Sequence, residues 1–203
     1  MTVLRDLLAG DVLEVAPALL GARLSHGGVT VRLTEVEAYA GTDDPGSHAF
    51  RGRTPRTEVM FGPAGRLYVY FTYGMHFCAN VVTGPEGEAS AVLLRAGEVV
   101  DGSDSARRGR THLGERDLAR GPARLAVALG LARDENGLDL LDATSDGALT
   151  LADDLTMAQR VRTGPRVGVS GPGGDGTVFP WRFWLADEPT VSVYRPAARR
   201  RRG

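Results

Sequence analysis

The chain of 203 residues has no lysine and no isoleucine, a single cysteine, four histidines and no long apolar run. Without lysine, side-chain Schiff-base chemistry is excluded. All 24 basic residues are therefore arginine, and the parallel loss of isoleucine points to compositional bias as the origin. Cys78 alone cannot form an intrachain disulfide, a thiolate zinc cluster or an iron–sulfur cluster, each of which needs several thiolates. Between Phe77 and Ala79 it is expected to be a buried, inert thiol. His26, His48, His76 and His112 lack metal-ligand spacing, so no metal and no cofactor are expected. No stretch approaches the ~18 apolar residues that cross a bilayer, and Met1 to Asp6 lacks the layout of a secretory signal. A cytoplasmic protein without a membrane partner is expected.

What is present fits one domain over residues 1–203, a length at which roughly 70% of the unfolded surface is buried. The net charge of −1 makes no global case for a nucleic-acid partner, but the charges are unevenly placed. Arginines gather at Arg51, Arg53 and Arg56, from Arg107 to Arg124, and at Arg199 to Arg202; acidic residues gather between Asp134 and Asp154. One DNA-facing side would suit this division, and so would solvated loops. The tail 196–203 reads as flexible.

Leu4 to Leu8 and Asp11 to Gly21 have helical apolar spacing. Alternation then begins, with Gly27-Gly28 separating two strands as a hairpin requires, and Glu37 falls on the second strand. Period two places Val31, Leu33, Glu35, Glu37 and Tyr39 on one face, which reads either as a solvated polar face or as the start of a site. The connection Gly41 to Gly65, rich in Gly, Pro and Arg, is long enough to be functional or mobile. Leu67 to Thr72 and His76 to Val82 read as a second hairpin with Tyr73-Gly74-Met75 at its tip, and Ser90 to Arg95 as a strand ending in arginine. That arginine needs a partner if buried; Glu35 and Glu37 are the candidates. Val99 to Ala119 reads as loop with an Arg-rich helix, and Gly121 to Gly130 as a helix with proline in its first turn and glycine after its last. Short strands are expected at 149–152, 166–170, 181–185 and 191–194, and the insert 171–176 is flexible by composition.

Three segments carry a family resemblance: Glu35-Val36-Glu37-Ala38-Tyr39, the tyrosine-rich run from Leu67 to Asn80, and Val92-Leu93-Leu94-Arg95-Ala96. With weaker echoes at Val15 to Gly21, Thr54-Pro55-Arg56, Gly121 to Leu125 and Pro180 to Trp184, the chain resembles the alkyladenine (3-methyladenine) DNA glycosylase family, the single-domain kind without a helix-hairpin-helix. The resemblance implies an α+β fold, a curved, mainly antiparallel sheet flanked by helices, similar to the formyltransferase C-terminal domain. It also implies a monomeric base-excision repair enzyme that flips damaged purines from double-stranded DNA and hydrolyses the N-glycosidic bond. By resemblance Glu37 is the base that activates water, with Arg95 beside it. Tyr39, Tyr70 and His48 wall the base pocket, and Asn80 excludes guanine. Tyr73, Met75 and His76 fill the gap left in the duplex, and Arg53, Thr54 and Arg56 contact the backbone.

A glycosylase that also nicks DNA usually attacks with an amine, so the missing lysines favour a monofunctional hydrolase. The chain departs from the family pattern at His76, a position open to tyrosine elsewhere in the family, and in the 171–176 insert close to the C-terminal strand; both bear on the lesion range and not on the reaction type. The main alternative is a non-catalytic nucleic-acid-binding module on the same scaffold. A third reading, a hydrolase of small nucleosides, would not need a protruding Tyr73. The enzyme is expected in the cytoplasm, on the nucleoid when bound to DNA.

Overall fold

The structure, a computed structural model, describes residues 2–72, 74–142, 144–152 and 157–197, without the side chains of residues 2, 3 and 157. Two short helices, α1 (Thr2–Leu8) and α2 (Val12–Ala18), come first; the Asp11 carboxylate caps α2 by accepting from Leu13 N at 2.7 Å. β1 (Arg23–His26) and β2 (Val29–Tyr39) form the expected hairpin, with Gly27 and Gly28 both at positive φ as a two-residue primed turn demands. β3 (Leu67–Thr72), β4 (His76–Val82) and β5 (Ala91–Asp101) follow, then α3 (Ser103–Arg107) and α4 (Pro122–Leu129). α4 has Pro122 in its first turn and Gly130 as a left-handed cap, as its sequence requires. β6 (Ala148–Thr150), α5 (Met157–Arg160), β7 (Val161–Gly164) and β8 (Arg182–Leu185) complete the described elements.

The fold is α+β, as expected. Its open sheet has the order β3-β4-β5-β2-β1-β6, with β8 beside the second half of β2 and β7 beyond β8; every ladder between named strands is antiparallel. One face is aliphatic. Val31, Leu33, Val36, Ala38, Val69, Val81, Val92 and Leu94 join one core cluster with Val15 of α2, Leu19 that caps its end, and Leu125 and Leu129 of α4. Each buried leucine contributes about 1.5–3 kcal/mol.

β2 does not keep one face along its length. The pairing runs Leu33↔Gly97, Glu35↔Ala96, Val36↔Leu94, which leaves Thr34 on β2 and Arg95 on β5 without partners in this ladder. These bulges switch the core side from odd positions (Val29, Val31, Leu33) to even ones (Val36, Ala38). Glu35, Glu37 and Tyr39 therefore lie opposite Val31 and Leu33, not with them. Two carboxylates on the aliphatic face would have had no partners, and the bulge avoids that cost.

Other expectations are also corrected. Arg95 stands mid-strand, because β5 continues to Asp101. Residues 166–170 and 191–194 are not strands: Val167 N donates to the Glu37 carboxylate and Ser192 N to that of Glu35, so backbone groups that a ladder would use serve side chains. The additional strand is β7, at 161–164. The glycine insert is packed: a short turn at Pro172–Gly174 sets Gly173 against Gly46, where a Cβ would come within 2.2 Å of backbone. Tyr73 and, within the Arg-rich tail, residues 198–203 lie outside the described residues.

Candidate active site

The second face of the sheet carries the chemistry. Cross-strand partners run Tyr68–Asn80–Leu93–Glu37–Arg182 across β3, β4, β5, β2 and β8. Tyr70 and Cys78 form the next pair along β3 and β4. Loops 45–48 and 167–170 rise beside this floor and enclose a cavity of about 400 Å³, lined by Glu37, Tyr39, His48, Tyr70, Asn80 and Arg95 among others. All six residues expected in the catalytic centre and base pocket thus meet in one place.

Glu37 has no solvent exposure. Its Oε1 accepts from Val167 N at 2.7 Å and lies 3.3 Å from an Arg95 Nη1, and its Oε2 accepts from Tyr39 Oη at 2.8 Å. Burial, and then the Glu37 charge, push the Tyr39 phenol well above its ordinary pKa, so it remains a donor. Burial also raises Tyr70 and Cys78, leaving the thiol neutral as expected for an inert one.

Arg95 is held from behind. Its Nε donates to Glu35 Oε1 at 2.9 Å, and the same oxygen accepts from Arg182 Nε at 2.7 Å and Ser192 Oγ at 2.9 Å; Ser192 N donates to Oε2 at 2.7 Å. Burial opposes the Glu35 charge, but Arg95, Arg182 and the Ser192 N–H together hold its carboxyl below the usual carboxylate range. The expected Arg95–carboxylate pairing is present to both candidates.

His48 stands edge-on to Tyr70, with ring centroids 4.5 Å apart. An Arg56 Nη2 lies 3.3 Å from its Nε2, and Tyr68 Oη 3.1 Å from its Nδ1. A guanidinium only donates, so Nε2 accepts and the proton resides on Nδ1. Desolvation first, then the Arg56 charge, lower the His48 pKa to about 4, and because the residue as a whole is exposed, solvent screens part of both effects. Asn80 is buried and donates to Tyr68 O at 3.0 Å.

The predicted DNA-contacting residues lie outside the pocket. Met75, 69% exposed, and His76 sit at the hairpin end. Arg53 pairs with Glu58 at 2.8 Å over the Phe61 ring, and exposed Thr54 bonds Thr57. Arg56 instead lies 5.6 Å from the Tyr70 ring centroid.

Sequence reasoning missed the clamp behind Tyr39. Fully buried Arg166 binds Asp44 through both terminal nitrogens at 2.6 and 2.7 Å, bonds Ala38 O and Gly173 O, and lies 4.5 Å from the Tyr39 ring centroid. It joins the two pocket loops. The only signal was an arginine among Gly, Pro and Val at 164–168, and nothing local names Asp44 as its partner. Arg182 and Ser192 were missed for the same reason. Among the described residues no three of His, Cys, Asp and Glu cluster as a metal site would require, and no helix is long and apolar enough to cross a membrane.

An aromatic cavity over a buried carboxylate–guanidinium pair is the setting of an enzyme, and comparison identifies the class. A family model described as methylpurine-DNA glycosylase matches residues 6–189, and the chain belongs to that family, whose members are monofunctional, hydrolytic DNA N-glycosylases. It is 54% identical to a protein of Streptomyces avermitilis, covering 98% of this chain and 94% of that one. A Leifsonia xyli protein is 55% identical over 94% and 92% of the two chains, and a Mycobacterium tuberculosis protein 47% identical over 95% and 94%. All three are named, provisionally, as 3-methyladenine DNA glycosylases.

Proposed function

We propose that this DNA glycosylase flips alkylated or deaminated purines, of the 3-methyladenine, ethenoadenine and hypoxanthine class, into the pocket and hydrolyses their N-glycosidic bond with water activated by Glu37. The observation that carries the reading is a fully buried carboxylate, held by Tyr39, Val167 and Arg95, in a cavity of about 400 Å³ with aromatic walls. That volume suits one flipped nucleotide, and Tyr39, Tyr70 and His48 offer ring faces and edges to a flat, electron-poor base. Oε1 is occupied by Val167 N and Arg95, whereas Oε2 receives only Tyr39, so the remaining lone-pair site for water is on Oε2. The water oxygen bonds C1′ as the C1′–N bond breaks; its proton passes to Glu37, and the bond electrons leave with the base. An N-alkylated cationic purine departs neutral, which makes it the better leaving group.

Arg95 orients the carboxylate and the water, and Asn80 sits where a guanine amine would clash or stay unpaired. Met75 and His76, with Tyr73 between Thr72 and Gly74 in the chain, supply the side chains that fill the vacated stack. The phosphate backbone falls to Arg53, Thr54 and Arg56. Purified enzyme is expected to release these bases from duplex DNA with no added metal. Glu37→Gln is expected to retain binding to lesion DNA while single-turnover excision slows at least ~100-fold; equal rates would refute the assignment.

A further inference from the structure

Glu37 is served by a second carboxylate that does not line the pocket. Glu35 is fully buried behind Arg95, and its Oε1 gathers three donors: Arg95 Nε, Arg182 Nε and Ser192 Oγ. Arg95 is thereby turned. Its Nε bond to Glu35 is 2.9 Å, and it reaches Glu37 only through an Nη1 at 3.3 Å. The buried group contains two carboxylates, Glu35 and Glu37, and two guanidiniums, Arg95 and Arg182, so its formal charges cancel. Groups facing it from other elements do not change with Glu35. His48 is neutral, Arg166 has Asp44 as its own counterion, the Cys78 thiol is protonated, and the Arg56 guanidinium, 3.3 Å from His48 Nε2 and 5.6 Å from the Tyr70 ring centroid, contributes the same charge in every variant compared below.

From this arrangement we infer that Glu35 is a positioning residue: its charge keeps Arg95 from being captured by Glu37, and it keeps the buried four-charge group under the pocket neutral, so that this group does not oppose a cationic base. The inference rests on the catalytic reading of Glu37. Without Glu35, Arg95 has one carboxylate left to pair with, and the base that must accept a proton from water is tied up. The four-charge group also becomes +1, which opposes a substrate bearing +1 and leaves a neutral one unaffected to first order. A residue that merely props up Arg95 by hydrogen bonding would depress both substrates alike. Substrate charge therefore separates the two roles.

The test compares excision of 3-methyladenine, cationic as its nucleoside, with excision of hypoxanthine, neutral, in the parent, Glu35→Gln, and Glu35→Gln combined with Arg182→Gln. Glu35→Gln is expected to lower kcat on both and to lower the 3-methyladenine to hypoxanthine ratio of kcat/KM by at least about tenfold. The double variant, neutral again, is expected to return that ratio to within about threefold of the parent. A folded Glu35→Gln with the parental ratio, or a double variant as skewed as the single, overturns the inference. Should Glu35→Gln fold but be too unstable to assay at working temperature, its melting temperature decides. Charge balance requires the double variant to melt above the single, whereas a purely hydrogen-bonded scaffold loses further partners and melts no higher, which would equally overturn it. A parent that releases neither base refutes the proposed function and this inference with it. A parent active on both bases confines any failure to Glu35.

Discussion

At the scale of single residues the pocket depends on groups whose charge state is set by their neighbours. His48, with its pKa lowered to about 4 by partial desolvation and Arg56, is neutral throughout the physiological range. The unfolded chain binds this proton near pH 6.5, so the folded state is disfavoured as pH drops. The stability His48 permits is fully present above about pH 6.5 and is lost as pH falls through about 4. A ring resonance of His48 followed by NMR should titrate well below pH 6; a midpoint at the ordinary value would show that Arg56 and the tyrosines do not confine it. Arg166 is the structural counterpart. With Asp44 it forms a pair in which neither side chain is exposed, and removing one partner leaves a buried charge. Arg166→Leu is expected to lower unfolding free energy by about 3–5 kcal/mol in denaturant titration. Asp44→Asn should be similarly harmful, and a loss below 1 kcal/mol for either would mean that the clamp does not hold the two loops.

At the scale of elements, β2 decides what the pocket contains. Straight alternation would have kept Glu35, Glu37 and Tyr39 under α2 and α4 with Val31 and Leu33, on the face that now holds the core. The extra residue at Thr34 turns the second half over, and its hydroxyl, 2.9 Å from that of Thr190, ties the bulge to the C-terminal segment that supplies Ser192. Deleting Thr34 is expected to leave cooperative unfolding in circular dichroism intact, because straight alternation from Leu33 to Glu35 then keeps Glu35 and Glu37 on the pocket face, with the loss confined to the contact with Thr190. A deletion variant without cooperative unfolding would show that the bulge does more than set the face. Substituting Thr34 by valine removes only the hydroxyl contact and should cost about 1 kcal/mol, which separates the bulge from its side chain.

At the scale of the whole molecule the balance of charge is the constraint on DNA binding. With a net charge of −1 the protein has no general attraction for a polyanion, so affinity depends on the local placement of arginines. Binding to duplex DNA is expected to weaken steeply with salt, and Arg53→Ala should reduce the slope of log K against log salt by about one unit. An unchanged slope would remove Arg53 from the phosphate contacts. Much was legible in the sequence: both hairpins, the helix from Pro122 to Leu129, the α+β class, and the identities of Glu37, Tyr39, His48, Tyr70, Asn80 and Arg95 as pocket residues. Those features follow from local periodicity, turn residues and a recognisable set of segments, and such information is contiguous along the chain. Tertiary structure alone decided which way Glu37 faces, that residues 166–170 and 191–194 donate backbone N–H groups to carboxylates instead of forming strands, and that Arg166 finds Asp44 across 122 positions. A bulge, a side chain competing for a backbone donor and a long-range ion pair all depend on which groups are brought within about 3 Å of each other, and no local pattern of residues encodes that.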